Sequence, residues 1–336
     1  RMGSSYGESR IIRYAYDHPT YVEMAKLAFG MWHDLEHEAG CDLMIRTGGL
    51  DFGDPDWPSL SAFHQTLESA RIPFDWLSPQ EVARRFPQFK LPPHMRAIFQ
   101  ADAAALYASR CVVTQAALAQ KHSADLRFNT PITGIEPLRE SVRVHTADGQ
   151  YEAGSLVITA GPWAGKVLAN LDLKLPLQPT REEVVLFHPQ DAAAFKPDRF
   201  PIFISHGAPW HYGLPDLDGT GLKVAVHRRE EPTDPDSVRR TPDADYIAHI
   251  RSFVRAYIPR GDGQVGEARV CLYTMTPDEH FIIDRHPAYP HIVFGAGFSG
   301  HGFKFGPLIG SILCDLATIG TTPHDISLFS ARRFLK

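Results

Sequence analysis

Three short patterns in this sequence could carry chemistry, and the first is a glycine-rich turn. Residues 295–300 read Gly-Ala-Gly-Phe-Ser-Gly, which matches the turn that cradles a dinucleotide between a strand and a helix. Only 36 residues follow it, too few for the nucleotide-binding half-domain that such a turn normally opens. We therefore expect a tight turn at a helix start, where an anionic cofactor group is favoured.

The second pattern is a pair of histidines in the run His33-Asp34-Leu35-Glu36-His37, which has the spacing of an inverted zincin motif. These polar side chains face away from the apolar stripe predicted for the same helix. That stripe consists of Tyr21, Met24, Leu27, Met31 and Leu35. The pattern predicts a solvated helix face, and we expect no metal site.

The third pattern is a set of reactive side chains in unusual places. Lys223 stands in the strand-like run GLKVAVH, where it is either a strand-edge lysine or a buried lysine beside a ligand. Cys271 lies in RVCLY, where a small buried apolar residue is the ordinary interpretation. Lys304 opens the last predicted helix, and a cation there opposes the helix dipole unless an anion binds nearby.

Length and composition limit the class of protein to which this chain can belong. The chain has 336 residues, enough for two domains at about 150 residues each. Lys and Arg number 34 and Asp and Glu 39, a net charge of −5 that argues against a nucleic-acid binder. Four scattered cysteines predict neither a disulfide framework nor a zinc site. No apolar stretch reaches the roughly 18 residues of a membrane span, so we expect a soluble, cytoplasmic protein.

Helix-capping and turn residues predict where the helices and strands begin and end. A helix follows Pro19 and stops at Gly40, and Ser78 with Glu81 predicts a capping box. Asp148-Gly149 predicts a hairpin turn, and the apolar strand at 155–161 leads into a helix, as in parallel α/β layers. Further helices are predicted at 108–122, 243–258 and 303–318, and antiparallel strands at 180–228. The pattern predicts α/β blocks interleaved with an α+β block, in two domains.

Long segments of the chain resemble the monomeric sarcosine oxidase and N-methyl-amino-acid oxidase family, which are FAD-dependent enzymes of the D-amino-acid-oxidase superfamily. The segments are GESRIIRYAY (7–16), CLYTMTPDEHFIID (271–284), GAGFSGHGFKF (295–305), and VITAGPWAGKVL with LPLQPTR (157–181). The resemblance covers nearly the whole chain. It implies a two-domain flavin-oxidase fold: a Rossmann-like FAD-binding domain of 1–45, 105–175 and 279–336, and an antiparallel-sheet substrate domain of 46–104 and 176–278.

The resemblance also implies roles for individual residues. Cys271 matches the cysteine that holds FAD through a thioether, and Lys223 matches the lysine near flavin N5, where oxygen is reduced. Arg13 and Lys304 match the pair that holds the substrate carboxylate. Arg10 and His227 would complete the catalytic group with Lys223, and Tyr212 and His301 would line the substrate pocket. The remaining cofactor contacts implied are Gly300, Gly302, Ala160, Gly161 and Trp163.

Two departures from the family pattern bear on these expectations. Tyr6 stands where the sarcosine enzymes have a histidine. Family members also begin with about 40 residues absent here, which form the first strand, glycine turn and helix of the dinucleotide fold. We expect that this segment has been omitted or trimmed.

The reaction implied is oxidation of the N-alkyl C–H of a secondary amino acid, such as sarcosine, to an imine, with O₂ reduced to H₂O₂. The implied partners are a small amino-acid substrate and O₂, with neither nucleic acid nor membrane, and the protein would be a monomer. Two alternatives remain open. One is an oxidase of cyclic imino acids such as L-pipecolate or proline; the other is a flavin-free remnant that binds a carboxylate ligand.

Overall fold

The computed structural model of the protein describes residues 3–335, which form a mixed α/β arrangement. The helices are α1 (Pro19–Ala39), α2 (Pro58–Ser69), α3 (Pro79–Arg85), α4 (Ala108–Lys121), α5 (Ala164–Ala169), α6 (Ala244–Tyr257) and α7 (Gly306–Thr318). The strands are β1 (Ser9–Ile12), β2 (Met44–Arg46), β3 (Gly49–Gly53), β4 (Asp75–Leu77), β5 (Arg96–Gln100), β6 (Ala104–Tyr107), β7 (Ile132–Pro137), β8 (Val142–Thr146), β9 (Gly149–Ala153), β10 (Leu156–Ile158), β11 (Gln178–His188), β12 (Ile202–Ser205), β13 (His211–Leu214), β14 (Leu222–Val226), β15 (Glu231–Pro232), β16 (Gln264–Met275), β17 (Ile282–Arg285) and β18 (Ile292–Ala296).

Local sequence explains where the helices begin and end. Pro19 occupies the first turn of α1, and Gly40 ends the helix in the left-handed conformation, with φ of 66°. The Ser78 hydroxyl accepts from the backbone of Glu81, and the Glu81 carboxylate accepts from the backbone of Ser78. These two features confirm the predicted helix stop and the predicted capping box.

A nine-stranded sheet forms the larger layer. Its strands run in the order β15, β11, β14, β13, β12, β3, β5 and β4, and the long β16 pairs with β11. All pairs are antiparallel except β3 with β12. Helix α6 packs on this sheet, where Ile250, Phe253 and Val254 join the buried aromatic and aliphatic core. All strands of the sheet fall within 49–100 and 178–275.

Three smaller sheets make up the rest. The first has the order β1, β6, β2, and the second has β10, β18, β17, with β10 parallel to β18. The third is a meander of β7, β8 and β9 that contains the predicted hairpin turn. Helices α1 and α7 pack together over a core that includes Val22, Phe281, Ile309 and Leu313. The division into two domains at the boundaries given above stays a proposal.

Two expectations for α1 are wrong. Leu27, predicted in the apolar stripe, is 45% exposed, and the buried side is formed instead by small and aromatic residues such as Ala25, Ala28 and Trp32. Glu36 is not part of a solvated face. Its carboxylate accepts the backbone N–H groups of Leu43 and Met44 at 2.7 and 2.9 Å and so holds the chain that leads into β2.

Across residues 3–335, no helix combines the length and the hydropathy needed to cross a membrane. The four cysteines are all free thiols.

Candidate active site

A cavity of about 370 Å³ lies between β1, one face of the nine-stranded sheet and the glycine-rich turn after β18. Most of the residues that the sequence singled out line it, although they come from distant parts of the chain. They are Arg10, Arg13, Tyr212, Lys223, His227, Cys271, Gly300, His301 and Lys304.

Four predicted cofactor contacts are not among the residues that line this cavity: Ala160, Gly161, Trp163 and Gly302. Trp163 instead donates its indole N–H to the Asp236 carboxylate at 2.6 Å. The contact of these four residues with a cofactor stays a prediction.

Strand register explains why Lys223 and Cys271 share a wall of the cavity. Lys223 lies opposite Leu186 on one side of β11, and Cys271 lies opposite Glu182 on the other side. Leu186 and Glu182 are four residues apart on one strand, so their side chains point to the same face. Directly paired residues also share a face, and the Lys223 and Cys271 side chains therefore project together.

Arg10 and Lys223 are cations that bond only to backbone carbonyls. The Arg10 guanidinium donates to the carbonyl oxygens of Ser4, Tyr6 and Ser9 at 2.6–2.8 Å. Lys223 Nζ donates to the Ser9 carbonyl at 3.2 Å and is 8% exposed. Burial, reinforced by the nearby positive charge of Arg10, lowers the pKa of Lys223 to about 7. No carboxylate within residues 3–335 forms an ion pair with either side chain.

The Cys271 thiol is half-buried beside these two basic side chains. Burial raises its pKa, whereas Arg10 and Lys223 both act to lower it. Positive neighbours stabilise the thiolate, the nucleophilic form of cysteine. The effect of burial is the larger one, so the thiol is protonated in the ligand-free protein, and the two basic neighbours lessen the cost of forming the thiolate.

Lys304 and Arg13 form a second group of cations. Lys304 Nζ donates to the Tyr16 hydroxyl at 2.7 Å and to the His301 carbonyl at 2.9 Å. Burial, assisted by Arg13, holds the pKa of Lys304 well below its usual value. The Arg13 guanidinium differs from the other three cations, since its Nη1 donates to Asp51 Oδ1 at 2.9 Å.

Neutral aromatic and imidazole groups complete the cavity. Burial holds the pKa values of His227 and His301 well below the usual value for histidine, and the neighbouring cations act in the same direction. Both rings are therefore uncharged at neutral pH. Burial also raises the pKa of the Tyr212 phenol, which stays protonated.

Gly300 marks a close approach between the turn and the sheet. Its φ is 80°, and a Cβ atom there would lie 2.3 Å from the Tyr273 ring. A side chain at this position is excluded both by the backbone conformation and by Tyr273. The glycine thus brings the turn against the wall that carries Cys271.

Sequence reasoning missed several residues of the site. Asp51 lies on the buried strand β3, and Tyr16, Phe63 and Trp210 line the cavity around Arg13. The signal for Asp51 was present: one carboxylate stands in the apolar run Gly-Gly-Leu-Asp-Phe-Gly, and buried acids need a partner. The aromatic residues give no comparable signal, because they resemble ordinary core positions.

Comparisons with known proteins show the family and the fold of this chain. The family profile described as "FAD dependent oxidoreductase" matches residues 1–316. Monomeric sarcosine oxidase of Bacillus sp. (strain NS-129) is 37% identical over 341 residues, which span 98% of this chain and 87% of that protein. N-methyl-L-tryptophan oxidase of Yersinia pestis (strain Pestoides F) is 30% identical over 340 residues, 99% of this chain and 90% of that protein. Among solved structures, the open form of the amino acid oxidase NikD superposes with a TM-score of 0.85 at 24% identity, covering 98% of this chain and 87% of that chain.

Proposed function

Because the chain belongs to the family of FAD-dependent oxidoreductases, we propose that it oxidises secondary amino acids, with N-methyl amino acids such as sarcosine as substrates. The predicted family, fold and enzyme class are confirmed by the comparisons. The substrate class is proposed because the relatives at 37% and 30% identity are named for N-methyl amino acids.

The observation that carries the proposal is a cavity with buried cations that lack carboxylate partners. Lys223 and Lys304 are 8% and 6% exposed, and neither forms an ion pair with a carboxylate among residues 3–335. Burying an unpaired charge is costly. Anionic ligands would offset this cost. An amino-acid carboxylate is such a ligand, and a flavin ring gains negative charge when it accepts electrons.

The wall formed by Arg10, Lys223 and Cys271 fits a flavin. It provides two basic side chains beside an electron-accepting ring and a half-buried thiol for attachment. Gly300, which has no side chain, allows a close approach. When bound, FAD supplies the acceptor for two electrons. We propose that Cys271 holds it covalently, because this thiol lines the cavity on the same wall as Lys223, and Arg10 and Lys223 counteract the rise in its pKa that burial causes.

Lys304 and Arg13 would hold the substrate carboxylate. Charge-assisted hydrogen bonds from an ammonium and a guanidinium fix both the position and the direction of a carboxylate. The uncharged rings of His227 and His301 lie in the same cavity and leave the substrate nitrogen free of competing charge. Positioning of this kind is a large part of catalysis when the cofactor carries the chemistry.

Lys223 would assist the reaction with oxygen. The substrate loses two electrons and two protons at its C–N bond to become an imine, and O₂ receives them to become H₂O₂. The imine then takes up water to give the dealkylated amino acid and an aldehyde. A cation beside the site of oxygen reduction stabilises the anionic species formed there. Lys223, whose pKa of about 7 lets it hold a proton as negative charge develops, lines the cavity for this role.

The name of the bacterial relative, monomeric sarcosine oxidase, supports the proposal that this protein also acts as a monomer. A cytoplasmic location stays a prediction.

A substrate panel tests the proposed function. The purified full-length protein is incubated with sarcosine, N-methyl amino acids of increasing side-chain size, L-proline, L-pipecolate and glycine, and H₂O₂ is measured. We expect peroxide and an equal amount of formaldehyde from N-methyl substrates. Peroxide from L-proline or L-pipecolate alone would favour the cyclic-imino-acid alternative. Absence of 450 nm absorbance and of peroxide in the full-length protein would favour the flavin-free carboxylate binder.

A further inference from the structure

A buried carboxylate accompanies one of the two cations assigned to the substrate carboxylate. Asp51 is 1% exposed, and its Oδ1 accepts hydrogen bonds from Arg13 Nη1 at 2.9 Å and from His206 Nε2 at 3.1 Å. Lys304, the other cation of the pair, has only the neutral oxygens of Tyr16 and His301. The two carboxylate-binding groups are therefore built differently.

The backbone position of Asp51 is fixed by strand pairing on both sides. It lies in the middle of β3, which pairs with β12 on one side and β5 on the other, opposite Ile204 and Ile98. The His206 backbone N–H continues this ladder by donating to the Phe52 carbonyl at 2.7 Å. A Cβ atom at Gly53 would lie 2.8 Å from the His206 carbonyl oxygen, so glycine allows His206 to sit against β3.

The partners of His206 determine the direction of its hydrogen bonds. Its Nδ1 is 2.8 Å from the Ser59 hydroxyl at the start of α2. Burial lowers the pKa of His206, against the opposing effect of Asp51, so the ring is neutral. A neutral ring that donates from Nε2 to Asp51 accepts at Nδ1 from the Ser59 hydroxyl. Ser59, His206 and Asp51 thus form a chain of hydrogen bonds that ends on Arg13.

The hydrogen-bond chain from Ser59 uses only Nη1 of the Arg13 guanidinium. The other two nitrogens of the guanidinium are available to a ligand. The Arg13 guanidinium also lies over the Phe63 ring at 5.0 Å and the Tyr16 ring at 5.5 Å. Within residues 3–335, no protein acceptor receives its Nε or Nη2, and Arg13 lines the cavity. A ligand carboxylate can therefore use those donors while Asp51 keeps Nη1.

We propose that Asp51, held by His206 and Ser59, is a positioning residue that fixes the orientation of Arg13 for the substrate carboxylate. The inference rests on the proposed function, because it concerns the carboxylate of that substrate. It extends the site to three residues outside the cavity lining and predicts that specificity for a carboxylate over an uncharged analogue depends on them.

The test compares a substrate with its carboxamide. The ratio of kcat/KM for sarcosine to kcat/KM for sarcosinamide is measured in the holoenzyme and in two variants. Asp51→Val removes the acceptor of Arg13 Nη1, and we expect the ratio to fall about tenfold, the size of one lost charge-assisted hydrogen bond. Asp51→Asn keeps an oxygen at the same place, and we expect the ratio to stay within about threefold of wild type.

Controls separate positioning from general loss of structure. Asp216→Asn is a matched control, since Asp216 is another buried acid in an ion pair, with Lys196, and does not line the cavity. It should reduce stability without changing the ratio. If Asp51→Val does not fold, His206→Phe takes its place: it keeps the ring packing against Phe63 and Trp210, removes the donor to Asp51, and should lower the ratio about threefold.

The outcomes are distinct. A ratio that is unchanged or raised in Asp51→Val, or in the substituting His206→Phe, overturns the proposal, and so does an equal fall in Asp51→Val and Asp51→Asn. If the wild-type holoenzyme oxidises neither compound, the proposed function fails. The positioning role is then measured by binding of acetate against acetamide to the same variants, with the same expected pattern.

Discussion

Two buried basic side chains lie on neighbouring strands of the nine-stranded sheet and differ in their partners. Arg181 on β11 is 1% exposed, and its guanidinium contacts the carboxylates of Glu183, Glu231 and Asp243. Lys223 on the neighbouring β14 is 8% exposed and contacts one backbone carbonyl. The same sheet thus contains one basic side chain whose charge is balanced by carboxylates and one that has no carboxylate partner among residues 3–335.

The difference shows which buried charges belong to the fold and which belong to a ligand. A buried ion pair with further hydrogen bonds is tolerated as part of the structure. A buried lysine without a counter-charge gives up stability, and its pKa falls, as it does for Lys223. Such a residue is expected where a bound anion or a developing negative charge compensates it.

Removing the compensated cation should mainly affect stability. In Arg181→Met, the buried Glu183 loses one partner and keeps Arg229. We expect the free energy of unfolding to fall by about 3 kcal/mol, the usual cost of breaking a buried pair, as measured by denaturant unfolding. The folded fraction should retain wild-type kcat; a loss of kcat with unchanged stability would reverse the comparison.

Removing the uncompensated cation should mainly affect catalysis. Lys223→Met should slow the reaction of the reduced enzyme with O₂ by about 10² to 10³, the range for loss of one group that stabilises a developing anion. Reduction by substrate under anaerobic conditions should change little, and stopped-flow absorbance separates the two. Lys196→Met, on a half-exposed lysine paired with Asp216, is the control. Equal slowing of both half-reactions contradicts the assignment.

Lys304 is a second buried lysine in the cavity without a carboxylate partner among residues 3–335. Lys304→Met should raise KM for the N-methyl amino acid about tenfold, because one charge-assisted hydrogen bond to the carboxylate is lost. The KM for the matching carboxamide should change much less. Steady-state peroxide assays measure both; an equal rise for the two compounds would show that Lys304 does not contact the carboxylate.

The low pKa of Lys223 also predicts that the stability of the protein depends on pH. Its pKa is about 7 in the folded protein and near 10.4 in an unfolded chain. Between these values the unfolded state binds more protons, so stability rises with pH. Flavin-free protein should therefore become more stable from about pH 7 to about pH 9, and Lys223→Met should show a smaller rise. If the free energy of unfolding rises equally with pH in the wild type and in Lys223→Met, Lys223 is not desolvated.

Local features of the fold were predictable because they depend on neighbouring residues. Gly40 ends α1 and the Ser78–Glu81 capping box opens α3, as predicted. Errors arose where a distant partner decides the outcome. The Glu36 carboxylate holds the backbone before β2, which helix periodicity alone does not reveal.

The site was predictable only as a set of candidates. The resemblance identifies Arg13 and Lys304, but no pattern in the sequence indicates that Arg13 pairs with Asp51, 38 residues away. That pairing depends on the placement of β3 beside β12 and on the approach of His206 at Gly53. Tertiary geometry therefore separates the compensated cation from the uncompensated ones.

The central claim is that a flavin lies against the wall of Arg10, Lys223 and Cys271, and peptide mapping of the flavin tests it most directly. The purified holoenzyme is precipitated with acid, digested, and examined by mass spectrometry, with Cys271→Ser as the control. We expect the flavin to remain with the protein, on the peptide that contains Cys271, and to be released from the variant. Full release of flavin from the wild type, or its attachment to another peptide, would contradict the account.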